Sequence, residues 1–202
     1  MTQLNVLAGV GLAVCWAAFA LTWLVGAIVF ERSAPAERTR SRFGSAFGLG
    51  GVIVVIVILA VPKADWMSVQ IQAPWARLLG LAIVLVSTAF TIWARLKLGV
   101  MWSAAPTVKE HHVLQTGGPY RLTRHPIYTG ILGMLLGSLL LAGAGRWIVA
   151  FPVFLVLFVI KIRIEERFML TEFPDDYRQY RERVPQLVPG LRLLRRRPMT
   201  AA

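Results

Sequence analysis

HVLQTGGPYRLTRHPIYTG, residues 112–130, is the stretch that decides how this chain folds. It sets glycines, tyrosines, arginines and histidines between an apolar chain before and an apolar helix after. Polar groups this dense at a membrane boundary are costly to keep unless they bind or react. Pro126 fixes where they sit. Proline suits the first position of a helix and drives the residue before it into an extended shape. His125 is therefore expected at the mouth of a helix that starts at Pro126. Such a mouth carries partial positive charge and N–H groups that suit an anionic ligand group.

The rest of the chain supports a membrane setting. Hydrophobic residues make up 56% of it and the mean hydropathy is +0.62, too apolar for an ordinary soluble domain. The net charge of +12 would suggest nucleic acid in a soluble protein. Here the basic residues avoid the apolar runs and collect between and after them, which is the pattern of basic loops on a membrane protein. No nucleic acid is expected as a partner, and no metal site. The single cysteine, Cys15, lies inside an apolar run and reads as a small buried hydrophobe.

A spanning helix needs about 20 apolar residues. Five runs qualify: Leu4 to Phe30, Phe43 to Val61, Pro74 to about Leu96, Ile127 to Ala144, and Trp147 to Ile164. The first lacks a basic start and a clear cleavage site, so it reads as a permanent span. The last two are joined so closely that they form a tight antiparallel hairpin. Arg32, Arg38, Arg40 and Arg42 follow the first span, and Arg95, Lys97, Lys109, Arg121 and Arg124 lie between the third and fourth. Ten more Lys or Arg residues run from Lys161 to Arg197, whereas the opposite side holds Lys63, Arg77 and Arg146. The positive-inside rule then puts the N-terminus outside, and the 97–125 loop and the tail in the cytoplasm. Gly44, Gly48 and Gly51 in the second span, and Gly130, Gly133 and Gly137 in the fourth, sit at helix-packing spacing. No inverted repeat is visible, so a secondary transporter gets no support.

A second polar cluster ends the fifth span, Lys161-Ile162-Arg163-Ile164-Glu165-Glu166-Arg167. Lys161 and Glu165 share a helix face, and Arg163 and Glu166, three apart, are placed to pair. Phe173-Pro174-Asp175-Asp176-Tyr177-Arg178-Gln179-Tyr180 follows, with Asp175 or Asp176 as a helix start and Tyr177 and Tyr180 on one face. It reads as an amphipathic helix lying against the bundle, broken by Pro185 and Pro189. The basic tail after it reads as a membrane-surface anchor or a flexible end.

GPYRLTRHPIYTG, a hairpin, RIEERFML and then FPDDYRQYRERVPQLVPG together resemble the isoprenylcysteine carboxyl methyltransferase family of integral-membrane enzymes. The resemblance covers about Trp102 to Pro189 and rests on the ordered series rather than on any one motif. It implies an all-α integral-membrane fold of about five transmembrane helices, with a cytosolic cofactor-binding loop and a C-terminal amphipathic helix. The implied organisation is residues 1–96 as three N-terminal spans, 97–190 as the methyltransferase region and 191–202 as a basic tail.

The implied cofactor is S-adenosylmethionine. Its contacts, carried over by motif, fall on His112, Val113, Leu114, Gln115, Tyr120, His125, Pro126, Ile127, Tyr128 and Glu165. The implied partners are the bilayer and a lipophilic methyl acceptor. Lys161, Arg163 and Trp102 are expected on the acceptor, with Arg163 and Glu166 as the catalytic pair. Pro174 departs from the glycine common there in the family. The chemistry agrees: the helix mouth suits the cofactor carboxylate, Glu165 suits its cationic part, and the tyrosine faces suit adenine or sulfonium. A carboxylate acceptor would need only a cation, whereas an amine or thiol would need a base such as Glu166 or His125. Prenylated-thiol carboxylates, phospholipid amines and small thiols all remain open as acceptors. So do two other classes, a nicotinamide-dependent reductase of membrane lipids and a non-enzymatic membrane adaptor.

Overall fold

A computed structural model describes residues 3–30, 37–40, 56, 60, 62, 73–103, 107–109, 113–143, 145 and 147–190. Helix α1, Gln3–Val29, is apolar around its whole circumference and leaves Leu7, Val10, Leu21 and Leu24 exposed, as a lipid-facing helix must. Helix α2, Pro74–Leu98, starts on Pro74 and stops at Gly99, whose φ of 52° ends the helical hydrogen-bond ladder. A 3₁₀ turn, Gly99–Met101, follows. Helix α3, Pro126–Ala142, begins at the proline read from the sequence and ends on left-handed Gly143. Helix α4, Trp147–Glu172, runs on past the expected span limit at Ile164. Helix α5, Pro174–Arg183, puts Asp175 and Asp176 in its first turn and Arg181 and Arg183 in its last, matching the helix dipole at both ends. Pro174, the departure from the family pattern, simply opens this helix.

Three of these helices are long and apolar enough to cross a membrane, and α3 is a shorter apolar helix. The chain is an all-α integral-membrane protein. Gly44, Gly48, Gly51 and all of the expected second span except residues 56 and 60 lie outside the described residues. A short antiparallel ladder adds to the helical fold: β1, Glu37–Arg40, pairs with β2, Thr107–Lys109. It links the segment after α1 to the one after α2, the two basic loops expected on one side.

Among the described residues, helices α2 and α3 form the closest seam. A Cβ on Gly137 would stand 2.5 Å from Val84 Cγ2 and 2.7 Å from the Gly80 carbonyl. One on Gly133 would overlap Ser87 Oγ, and one on Gly130 would overlap Thr91 Oγ1. The small residues read from the sequence therefore let the backbones approach, the main source of helix association in lipid. The hydroxyls of Thr88 and Thr91 are satisfied on their own helix, each donating to the carbonyl four residues back. Ser138 does the same to Met134 and also accepts from Trp16 Nε1 at 3.1 Å, which ties α1 to α3.

Candidate active site

At one end of the seam the loop before α3 turns back over α2. Gly118, with φ of 60°, allows the 3₁₀ turn Gly118–Arg121 that buries Tyr120 against Ala94 and Ile127. Tyr120's backbone carbonyl accepts from Tyr180 Oη at 2.6 Å, so α5 is docked on this turn. Burial pushes the phenols of Tyr120, Tyr177 and Tyr180 well above their ordinary value, which keeps all three neutral.

The mouth of α3 is closed on one side by the chain after α5. The Arg124 amide donates to Pro185 O at 2.9 Å and the His125 amide to Gln186 O at 3.2 Å. Thr123 Oγ1 donates to Gln186 O and Thr129 Oγ1 to Leu187 O, both at 2.6 Å. The amides ahead of Pro126 are thus already bonded, and only those inside the first turn remain to meet a ligand group.

Consecutive residues of a helix point about 100° apart, and this gives the adjacent glutamates of α4 different surroundings. Glu165 lines a cavity of about 170 Å³. It accepts from Tyr128 Oη at 2.6 Å, and His125 Nδ1 and Lys161 Nζ lie 3.6 and 3.7 Å from it. Glu166 is buried outside that cavity lining. Arg124 grips one of its oxygens through Nη2 at 2.7 Å and Nε at 2.8 Å, and Arg181 Nε lies 3.5 Å from the other. Charge-assisted hydrogen bonds of this kind are among the stronger polar interactions. The His125 ring sits between the two carboxylates, with Nε2 3.3 Å from Glu166, and stacks on Tyr128.

The cavity brings together most of the residues read from the sequence. Trp102, Leu114, Gln115, Tyr120, His125 and Pro126 line it, as do Ile127, Tyr128 and Glu165. Gln115 also accepts from the Gly117 amide, which braces the glycine turn. Val113 is exposed and is not among the lining residues. Lys161 is half-buried beside Glu165, and His112 lies outside the described residues. The expected Arg163–Glu166 pair is replaced. Glu166 faces inward to Arg124, while Arg163 stands on the exposed side of α4 with Arg167.

Ser103 lines it beside Trp102, as expected of the pair at the acceptor entrance, and six further lining residues carry no role in the sequence: Leu98, Met101, Arg124, Met169, Tyr177 and Tyr180. Arg124's signal was its place in RHP. That of the tyrosines was their three-residue spacing.

A membrane helix bundle with a polar, carboxylate-bearing cavity at one end is the class of protein that this fold and site define. The family model described as "Phospholipid methyltransferase" matches residues 75–176, half of the chain, and the chain belongs to that family. It is similar to the cobalt-zinc-cadmium resistance protein CzcN of Cupriavidus metallidurans, with 30% identity over 73% of this chain and 65% of that protein. It is also similar to protein-S-isoprenylcysteine O-methyltransferase of Schizosaccharomyces pombe, with 37% identity over 40% of this chain and 34% of that protein. Methanethiol S-methyltransferase 1 of Bradyrhizobium diazoefficiens is 37% identical over 36% of this chain and 25% of its own length. The chain thus spans less than two thirds of each of these relatives. The resemblance read from the ordered motifs is borne out by the isoprenylcysteine methyltransferase match.

Proposed function

We propose that the protein is an integral-membrane methyltransferase that moves a methyl group from S-adenosylmethionine to a lipophilic acceptor. Family membership supports methyl transfer. The observation that carries the cofactor assignment is the cavity's donor set, a carboxylate held by a phenol next to a helix mouth and an apolar wall. When bound, S-adenosylmethionine supplies a methyl group on a sulfonium centre.

The protein's own residues divide the work of holding it. Glu165 meets the cationic part, fixed in direction by Tyr128 Oη. The first turn of α3 meets the carboxylate. Leu114 and Ile127 supply the apolar wall that adenine needs. Methyl transfer asks the protein to align the reactants and exclude water rather than to move charge far. Glu166, enclosed by Arg124 and Arg181, keeps His125 and the α3 mouth in register. Lys161, Arg163 and Trp102 are the groups we assign to the acceptor. A prenylated-thiol carboxylate is the favoured acceptor class, and the phospholipid amine and small thiol are the alternatives.

Calorimetry in detergent tests the cofactor site. The protein should bind S-adenosylhomocysteine, and Glu165→Gln should weaken it about tenfold or more, the loss expected for one charge-assisted hydrogen bond. Unchanged affinity in the variant removes Glu165 from the site. Binding of NADPH in place of S-adenosylhomocysteine would favour the reductase reading instead.

We also place the cavity on the cytoplasmic side and the N-terminus outside, from the Lys/Arg asymmetry. Gln179 is exposed on α5. In a Cys15→Ser background, Gln179→Cys should resist a membrane-impermeant thiol reagent in intact cells. Its labelling from outside reverses the orientation.

A further inference from the structure

Arg95 is the largest fully buried side chain of the described residues, 1% exposed and near the end of α2. By sequence it belongs with the basic residues between the third and fourth expected spans. Its guanidinium lies over two rings, 4.5 Å from the centroid of Trp102 and 5.1 Å from that of Phe30. Nη1 donates to Gly99 O at 3.0 Å, which braces the turn that leads to Trp102. Helix α1 makes room for it: a Cβ on Gly26 would stand 2.5 Å from Nη2 and 3.0 Å from Cζ. Trp23 of α1 meets Trp102 edge-on, with ring centroids 6.1 Å apart. Trp102 in turn lines the cavity, with Leu98, Met101 and Ser103 beside it. Helix α1 lies outside the part of the chain that the family model matches, residues 75–176.

We propose that Arg95 is a positioning residue for the acceptor side of the cavity: seated against α1 by Gly26, it holds Trp102 in the cavity wall. A planar guanidinium is suited to this task. It stacks on ring faces while donating in its own plane, whereas a lysine ammonium is a point charge without a stacking face. A charge kept inside a membrane protein is costly and marks a built feature. The glycine on the facing helix makes the feature two-sided. The word "acceptor" rests on the methyl-transfer reading; the clamp itself rests on the contacts.

The test separates the two. Ser103 is replaced by cysteine in a Cys15→Ser background, and its labelling by N-ethylmaleimide is timed in detergent beside S-adenosylhomocysteine affinity. Arg95→Lys keeps the charge and loses the stacking. Gly26→Ala keeps the arginine and displaces its guanidinium. Each should speed labelling about tenfold, the change expected from losing a buried cation–ring contact. Together they should do no more than either alone, and S-adenosylhomocysteine affinity should stay at the parent value. With N-acetyl-S-farnesyl-cysteine as probe acceptor, both variants should raise the acceptor KM and leave the cofactor KM unmoved.

Parent-rate labelling in both variants overturns the proposal, and so does a rise confined to Arg95→Lys. A parallel loss of S-adenosylhomocysteine affinity also overturns it, by making Arg95 a general support of the site. If Arg95→Lys does not fold, Gly26→Ala and Phe30→Leu decide by the same labelling. A parent protein that binds no S-adenosylhomocysteine sinks the methyl-transfer reading and leaves the labelling comparison to judge the clamp.

Discussion

The α2–α3 seam and the polar end of the bundle meet at α3 but hold by opposite means. At the seam, Gly80, Val84, Ser87 and Thr91 of α2 face Gly130, Gly133 and Gly137 of α3, and what matters is size. Thr88, Thr91 and Ser138 donate within their own helices, so these hydroxyls do not hold the seam together. At the polar end, Arg124, His125, Glu165, Glu166 and Arg181 come from three separate elements, and what matters is which charge meets which. The difference teaches that close helix packing and site geometry are separable along α3. Bulk should damage the first region and leave chemistry alone, while charge changes should do the reverse.

The largest expected effect breaks the polar end. Arg124→Ala leaves Glu166 buried without its two-pronged partner. Removing one member of a buried ion pair costs about 3–5 kcal/mol, because the other charge stays desolvated. It also removes the bonds to Val184 O and Arg181 O that hold the closing segment. Adding Glu166→Gln should recover a large part of the thermal stability, since the stranded charge goes with it. Thermal unfolding in detergent reads both variants. A single variant as stable as the parent would mean that this end is held by packing, and the contrast with the seam would fail.

A smaller effect tests the seam. Gly137→Val sets branched bulk against Val84 and the Gly80 carbonyl, and backbone cannot yield as a side-chain end can. Overpacking of this kind costs about 1–3 kcal/mol. Unfolding temperature should fall, while the folded fraction binds S-adenosylhomocysteine with the parent affinity. Weakened binding in that fraction would show that the seam and the site are one unit.

The sequence exposed these regions unequally. Pro126 announced its helix because proline's fixed φ and missing N–H act locally, and the glycine spacing announced the seam for a similar reason. Glu165 was legible through its place in an ordered motif. Span limits were less so. Lys161 marks where the apolar run ends, but α4 continues to Glu172, because charged residues are good helix formers outside lipid.

Long-range partners were hidden altogether. Nothing local says that Glu166 turns toward Arg124, 42 residues away in sequence, rather than toward Arg163. Pro185 read as a helix breaker, yet its carbonyl and that of Gln186 receive the Arg124 and His125 amides. Backbone pairing of that kind has no side-chain signature. Arg95 looked like a loop charge because its cradle, Gly26, belongs to a helix far off in the chain.

The smallest expected effect concerns the pair that three-residue spacing suggests. Arg163 and Glu166 are neighbours on α4 by sequence, and helix neighbours at that spacing attract by a few tenths of a kcal/mol at most. In the structure Glu166 spends its oxygens on Arg124 and Arg181, and Arg163 stands exposed on another side of the helix. A double-mutant cycle tells the two arrangements apart, because coupling appears only between groups that share an interaction. Arg163→Ala alone should change unfolding by less than about 0.5 kcal/mol, the usual range for a surface substitution. Its cycle with Glu166→Gln should give coupling near zero, whereas the Arg124→Ala cycle with Glu166→Gln should give a large one. S-adenosylhomocysteine affinity should be untouched by Arg163→Ala. Any loss would then fall on acceptor turnover alone, which is where an exposed cation at the lipid boundary can act. Measurable coupling between Arg163 and Glu166 would return Glu166 to the exposed face and remove it from the support of His125.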